Sequence, residues 1–79
     1  MSENMIQKIE IRSGEEFIKL GQALKKAGLV ETGVDAKLVI QDGLVKVNDE
    51  VDTRRGRKLV PGDSVEFDGN RLLITDSIS

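Results

Sequence analysis

The chain of 79 residues contains no cysteine, no histidine, no tryptophan and no tyrosine. Without Cys there is no disulfide framework, and the usual zinc and iron-sulfur ligand sets are missing, as are Cys-His and Ser-His catalytic pairs. Two Phe are the whole aromatic content, so a platform on which successive bases stack is not expected. No apolar run approaches the roughly 18 residues that a membrane span needs. The polar start Met1-Ser2-Glu3-Asn4 has no secretory h-region, so the expectation is a cytoplasmic protein with no membrane partner. Neither G-x-G-x-x-G nor G-x-x-x-x-G-K-[ST] occurs, which removes the common phosphate-cradling loops. The acids, Asp35, Asp42 and Asp49 among them, have no base or metal-ligand partner at a suggestive spacing. The cluster from Asp49 to Asp52 reads as a solvated hairpin edge. The expectation is a protein that is not an enzyme and holds no metal or cofactor.

What is present suits a small folded unit, with 38% hydrophobic and 33% charged residues. The length fits one domain, residues 1–79, with a core spanning about 6–75 and termini that fray, Ser77 to Ser79 in particular. Net charge is −2 but unevenly spread. Residues 1–16 carry two bases against four acids, and residues 59–79 carry one against four. Between them, residues 17–58 hold nine Lys or Arg against six acids, a balance of +3. A basic middle on an acidic chain points to a localised anion-binding face.

Ile9 and Ile11 alternate with Glu10 and Arg12, the period of a strand over about residues 6–12. Ser13 with Glu16 has the spacing of a capping box and predicts a helix from that point. Phe17, Leu20, Leu24 and Ala27 would share its buried face, and Gly28 would stop it. Gly21 inside this helix costs roughly 1 kcal/mol relative to Ala, which suggests close approach by another element, the second helix first. Thr32 with Asp35 predicts that second helix, burying Val34, Leu38 and part of Val39 and Ile40 before Gly43. From Leu44 the period is two. Asn48-Asp49, Pro61-Gly62 and Asp68-Gly69-Asn70 mark turns between short strands holding Val45, Val47, Val65, Phe67, Leu72 and Ile74. The expected class is α+β, two helices packed on a small antiparallel sheet.

The densest chemical feature is Arg54-Arg55-Gly56-Arg57-Lys58, four cations in five residues on a connection between predicted strands. As a plain charged loop it would need no function. Three guanidinium forks, however, match phosphate oxygens two at a time, and Gly56 lets a partner approach the backbone. Lys25 and Lys26 also suit the end of a helix through its dipole, and Lys37 and Lys46 could be ordinary surface residues. Taken together with Thr32-Gly33, which opens a helix with free amides, they could line one phosphate-binding ridge.

Three segments in this order carry a family resemblance. They are Thr32-Gly33-Val34-Asp35-Ala36-Lys37-Leu38-Val39-Ile40, then Gly43-Leu44-Val45-Lys46-Val47-Asn48, then Lys58-Leu59-Val60-Pro61-Gly62-Asp63. The sequence resembles the RNA-binding domain of ribosomal protein S-four, the alpha-L motif, in its stand-alone YaaA and YbcJ-type bacterial form, over about residues 14–68. The resemblance implies non-catalytic binding of structured RNA, ribosomal RNA foremost, with a role in ribosome assembly or translation. The RNA-binding residues it implies, together with the cationic pattern, are Lys25, Lys26, Thr32, Gly33, Lys37, Lys46, Arg54, Arg55, Arg57 and Lys58. Ribosomes or assembly factors are implied as further partners, and the expected state is a monomer. Two departures stand out. Thr32-Gly33 occupies the place of the family's Ser-Arg pair, and Asp49 replaces the Gly that usually follows Asn48, which implies weaker affinity or help from a second partner. A different class of function, a protein adaptor whose basic face docks an acidic protein, fits the same charge pattern.

Overall fold

The computed structural model describes residues 6–76, so the fraying expected of Ser77 to Ser79 lies outside the described residues. Two helices, α1 (Leu20–Lys26) and α2 (Gly33–Gln41), cover one face of a five-stranded sheet. The strands of that sheet are β1 (Ile6–Glu10), β3 (Val45–Val47), β4 (Glu50–Val51), β6 (Ser64–Phe67) and β7 (Asn70–Thr75). They run in the order β1-β7-β6-β3-β4. A separate two-stranded ribbon joins β2 (Ile18–Lys19) to β5 (Lys58–Leu59). The α+β class is as the sequence predicts, with one amendment to the sheet. Neighbours from β4 through β7 are antiparallel, whereas β1 lies parallel to β7, Ile9 opposite Ile74. A parallel pair needs a long crossover, and here the helices and most of the strands supply it.

The core is a single cluster in which Ile9, Ile11, Val45, Val47, Val65, Leu72 and Ile74 of the sheet side meet Leu20, Ala23, Leu24, Ala36 and Ile40 of the helices. Strand alternation sends the intervening residues to the opposite, outer face. In register across that outer face lie Ile6, Arg71, Glu66, Lys46 and Val51.

The first helix begins six residues later than the capping-box spacing suggests, with Lys19 and not Ser13 at its N-cap. Gly14 takes φ +89° and Glu15 N–H donates to Arg12 C=O, making a turn where helix was expected. The chain then pairs Ile18 with Leu59, and burial of both side chains outweighs the local helical signal. Phe17 is consequently half-buried beside the ribbon and not part of the helix core. Along α2 the buried residues are Ala36 and Ile40, while Val34 and Leu38 are 66% and 53% exposed. Ile40 is buried and Val39 partly so, as the sequence predicts, but Val34 and Leu38 turn outward, since it is small Ala36 that lies against α1 at Gly21. Thr32 caps α2 as expected, its Oγ1 accepting from Asp35 N–H at 3.1 Å.

The three predicted turns are present. Asn48 and Asp49 hold φ of 52° and 71° between paired Val47 and Glu50. Asp68 and Gly69 do the same at 53° and 80° between paired Phe67 and Asn70. Asp63 N–H donates to Val60 C=O around Pro61 and Gly62, the latter at φ +98°.

Candidate nucleic-acid interface

The arginine loop is fastened to the first helix by its own backbone. Leu20 N–H donates to Arg57 C=O at 2.8 Å and Gly21 N–H to Arg55 C=O at 3.2 Å, so loop carbonyls satisfy first-turn amides of α1 that would otherwise lack partners. Gln22 Oε1 accepts from Lys19 N–H at 3.1 Å and completes that end. Inside the loop, Arg57 N–H donates to Arg54 C=O, closing a four-residue turn.

The aim of the loop is set by a residue the sequence reading passed over. Asp52, assigned to a solvated hairpin edge, is buried, and its N–H continues the hairpin by donating to Val45 C=O. Its carboxylate accepts from Arg54 N–H at 2.9 Å, Arg54 Nε at 3.1 Å, Arg54 Nη2 at 2.9 Å and Arg57 Nη1. The Arg54 guanidinium is the main cause that holds this carboxyl well below the usual carboxylate range; the Arg54 amide and Arg57 add to it, against burial, which pushes the other way. The signal was present in the spacing, since an Asp two residues before an Arg commonly bonds the backbone N–H two positions on.

Arg55 follows a different course. Its aliphatic stem crosses α1 at Gly21, where a Cβ would stand 3.0 Å from Arg55 Cγ and 3.7 Å from Ala36 Cβ. The close approach inferred at Gly21 therefore comes first from the arginine loop and second from α2. Arg55, Gly56, Lys19, Lys25, Gln22, Gly33 and Ala36 together line one cleft, built from segments far apart in the chain. Arg54, Gly56, Arg57 and Lys58 line the open surface next to it.

Lys19 was not among the predicted site residues, yet its backbone stands directly opposite Lys58 in the β2-β5 ribbon. Like charges facing each other across strands are unfavourable unless an anion or an aromatic face compensates. Lys58 Nζ sits 4.9 Å from the centroid of Phe17, which provides part of that compensation.

The remaining predicted residues divide. Lys37 is exposed on α2, one turn beyond Gly33 on the cleft side. Lys26 turns toward the end of β1, its Nζ donating to Glu10 C=O at 2.7 Å. Lys46 lies on the outer face of the sheet, in register with Glu66, which itself lies 3.8 Å from Arg71. It is not brought to the cleft, and an acidic cross-strand neighbour accounts for it. Thr32 is occupied with capping, while the amides of Gly33 and Val34 have no protein partner among the described residues.

Two helices, a hairpin and a cation-bearing β-loop fastened to the first helix make up a small α+β module. The chain belongs to the S4 domain family, whose profile matches residues 9–75. It is 52% identical over 54 residues to a protein of Bacillus subtilis (strain 168) named "Probable ribosome maturation protein RlbA", covering 68% of this chain and 76% of that one. It is 39% identical over 57 residues to YbcJ of Escherichia coli (strain K12), covering 72% of this chain and 81% of the relative. The solution structure of E. coli YbcJ, described as revealing an alpha-L motif involved in RNA binding, superposes with a TM-score of 0.64 at 32% identity over 95% of this chain and 91% of that one.

Proposed function

We propose that this protein binds structured RNA, ribosomal RNA foremost, without performing chemistry on it, and that it acts in ribosome assembly. The observation that carries this reading is the cleft in which Lys19, Lys25 and Arg55 meet the open end of α2 at Gly33. Guanidinium, ammonium and backbone N–H donors on one concave surface match a phosphate backbone. The A-form major groove hides base edges from side chains, so shape and phosphate spacing are read in preference to sequence. The name of the B. subtilis relative and the description of E. coli YbcJ support the same direction.

Within the site, Arg55 and Lys25 are the free grips, Lys19, Lys37 and Lys58 flank them, and Arg54 and Arg57 present the donors that Asp52 leaves unused. The test is a variant carrying Lys25→Ala and Arg55→Ala, two exposed residues with no ion-pair partner among the described residues. Arg57→Ala would confound it by breaking the Asp52 network. Losing two phosphate contacts should weaken binding to ribosomal RNA fragments on the order of tenfold at moderate salt, with unchanged thermal unfolding. An unchanged Kd removes the cleft from the site. Partners that co-purify after complete nuclease digestion, with no RNA bound by the pure protein, would establish the adaptor reading instead.

A further inference from the structure

Helix α1 has a second flank that the cleft described above leaves unused. On that side Arg12, Glu15, Ile18, Gln22, Lys25 and Lys26 enclose another depression, of about 400 Å³ against about 290 Å³ for the Arg55 cleft. Its cations are Arg12, Lys25 and Lys26, and Glu15 is the acid among its lining residues. Lys26 is anchored there by its bond to Glu10 C=O, and Arg12 has no carboxylate partner among the described residues. Lys25 and Gln22 line both depressions, so both open onto the same exposed edge of α1.

The exposed edge of α1 is thus a ridge with a cationic trough on each side. A helix with its side chains is about 10–12 Å across, and the minor groove of A-form RNA is wide and shallow, with a phosphate row along each border. We infer that α1 enters the minor groove of an RNA duplex, one phosphate row lying in the Arg55-Gly33 trough and the other in the Arg12-Lys26 trough. Gln22 would then face the groove floor. Its Oε1 is held by Lys19 N–H, which leaves the amide NH2 to donate to 2′-hydroxyls and base acceptors. Arg12 becomes an RNA contact outside the predicted set, and the ligand class becomes duplex RNA in preference to a lone strand. The inference rests on the RNA-binding reading and adds to it a second contact row.

Fluorescence anisotropy with a labelled RNA duplex, the DNA duplex of the same sequence and one separated RNA strand tests it. Arg12→Gln should weaken duplex RNA binding roughly three- to fivefold and flatten the slope of log Kd against log salt by about one, and Arg12→Glu should do more. The unaltered protein should prefer the RNA duplex to both other probes by more than about tenfold. If both Arg12 variants bind duplex RNA as the unaltered protein does while the Lys25-Arg55 variant is weakened, only one trough is used and the inference fails, with RNA binding intact. Preference for the single strand or the DNA duplex also overturns it. If the unaltered protein binds no RNA of any kind, the proposed function falls with it.

Discussion

Asp52 and Gly21 decide how the arginine loop is presented, one by charge and one by its lack of a side chain. Asp52→Asn keeps the shape but faces Arg54 and Arg57 with a neutral amide, and at pH 7 it should cost about 1–3 kcal/mol of stability. Because the Asp52 carboxyl titrates below its unfolded value, its contribution is complete above about pH 4 and declines as the pH falls further. Urea unfolding at pH 7 and pH 3 should therefore show the gap between the two proteins narrowing in acid; a gap that stays constant would mean the carboxylate charge is not what the arginines hold. Gly21→Ala sets a helix-propensity gain of up to about 1 kcal/mol against a contact of 3.0 Å with the Arg55 stem. The exposed Arg55 should give way, so the unfolding midpoint should move little while RNA affinity falls. Gly21 was legible in the sequence as a point of close approach, because a glycine in a helix is locally anomalous. For Asp52 the spacing to Arg54 signalled the backbone bond but not the burial, which depends on where the hairpin lies against the loop; its neighbours Asp49 and Glu50 are the exposed acids they looked like.

At the scale of elements, legibility follows the range of the interactions. The turns at Asn48-Asp49, Pro61-Gly62 and Asp68-Gly69 need particular φ values that few residues accept, and each was readable from two or three letters. The Thr32 cap belongs to the same group. The start of α1 was misread because Ser13 and Glu16 imitate a cap, and the pairing that overrides them joins Ile18 to a residue 41 positions away, Leu59. The outward turn of Val34 and Leu38 came from helix packing at Ala36 and could not be read from periodicity alone. Asn48 links two of the turns: its Nδ2 donates to Asp63 Oδ1 and its Oδ1 accepts from Ser64 N–H, while Asp63 Oδ2 accepts from Val60 N–H. Asn48→Ala should lose the side-chain hydrogen bonds to Asp63 and Ser64 and a residue tolerant of positive φ, about 2 kcal/mol in all, measurable as a lower denaturant midpoint with an unchanged slope. A loss below roughly half a kcal/mol would show that the two turns are set independently.

The whole molecule is polarised in a way that net charge conceals. On the outer sheet face, Lys46 and Arg71 alternate with Glu66, and Arg71 also lies 3.8 Å from Asp49, so positive charge there is locally matched. Around α1, Lys19, Lys25, Arg55 and Lys58 have no acidic partner among the described residues. These four are among the cations that the proposed site draws on. With about five phosphates engaged, log K should fall against log salt with a slope on the order of −4, which a titration series in rising potassium chloride reads directly. A flat dependence would exclude phosphate contact as the source of affinity. The cationic middle was visible in the sequence; that Lys46 belongs to the other side was not, because the sheet register assigns it to Glu66.

The side-by-side position of β1 and β7 also governs when the fold can close. Ile11 N–H donates to Thr75 C=O, and Ile9 lies opposite Ile74, so the earliest strand has no neighbour until the last one has been made. During synthesis β1 must wait, with Ile9 unburied, for residue 75 to clear the exit tunnel. The five-stranded sheet is thus complete only once residue 75 is free to pair.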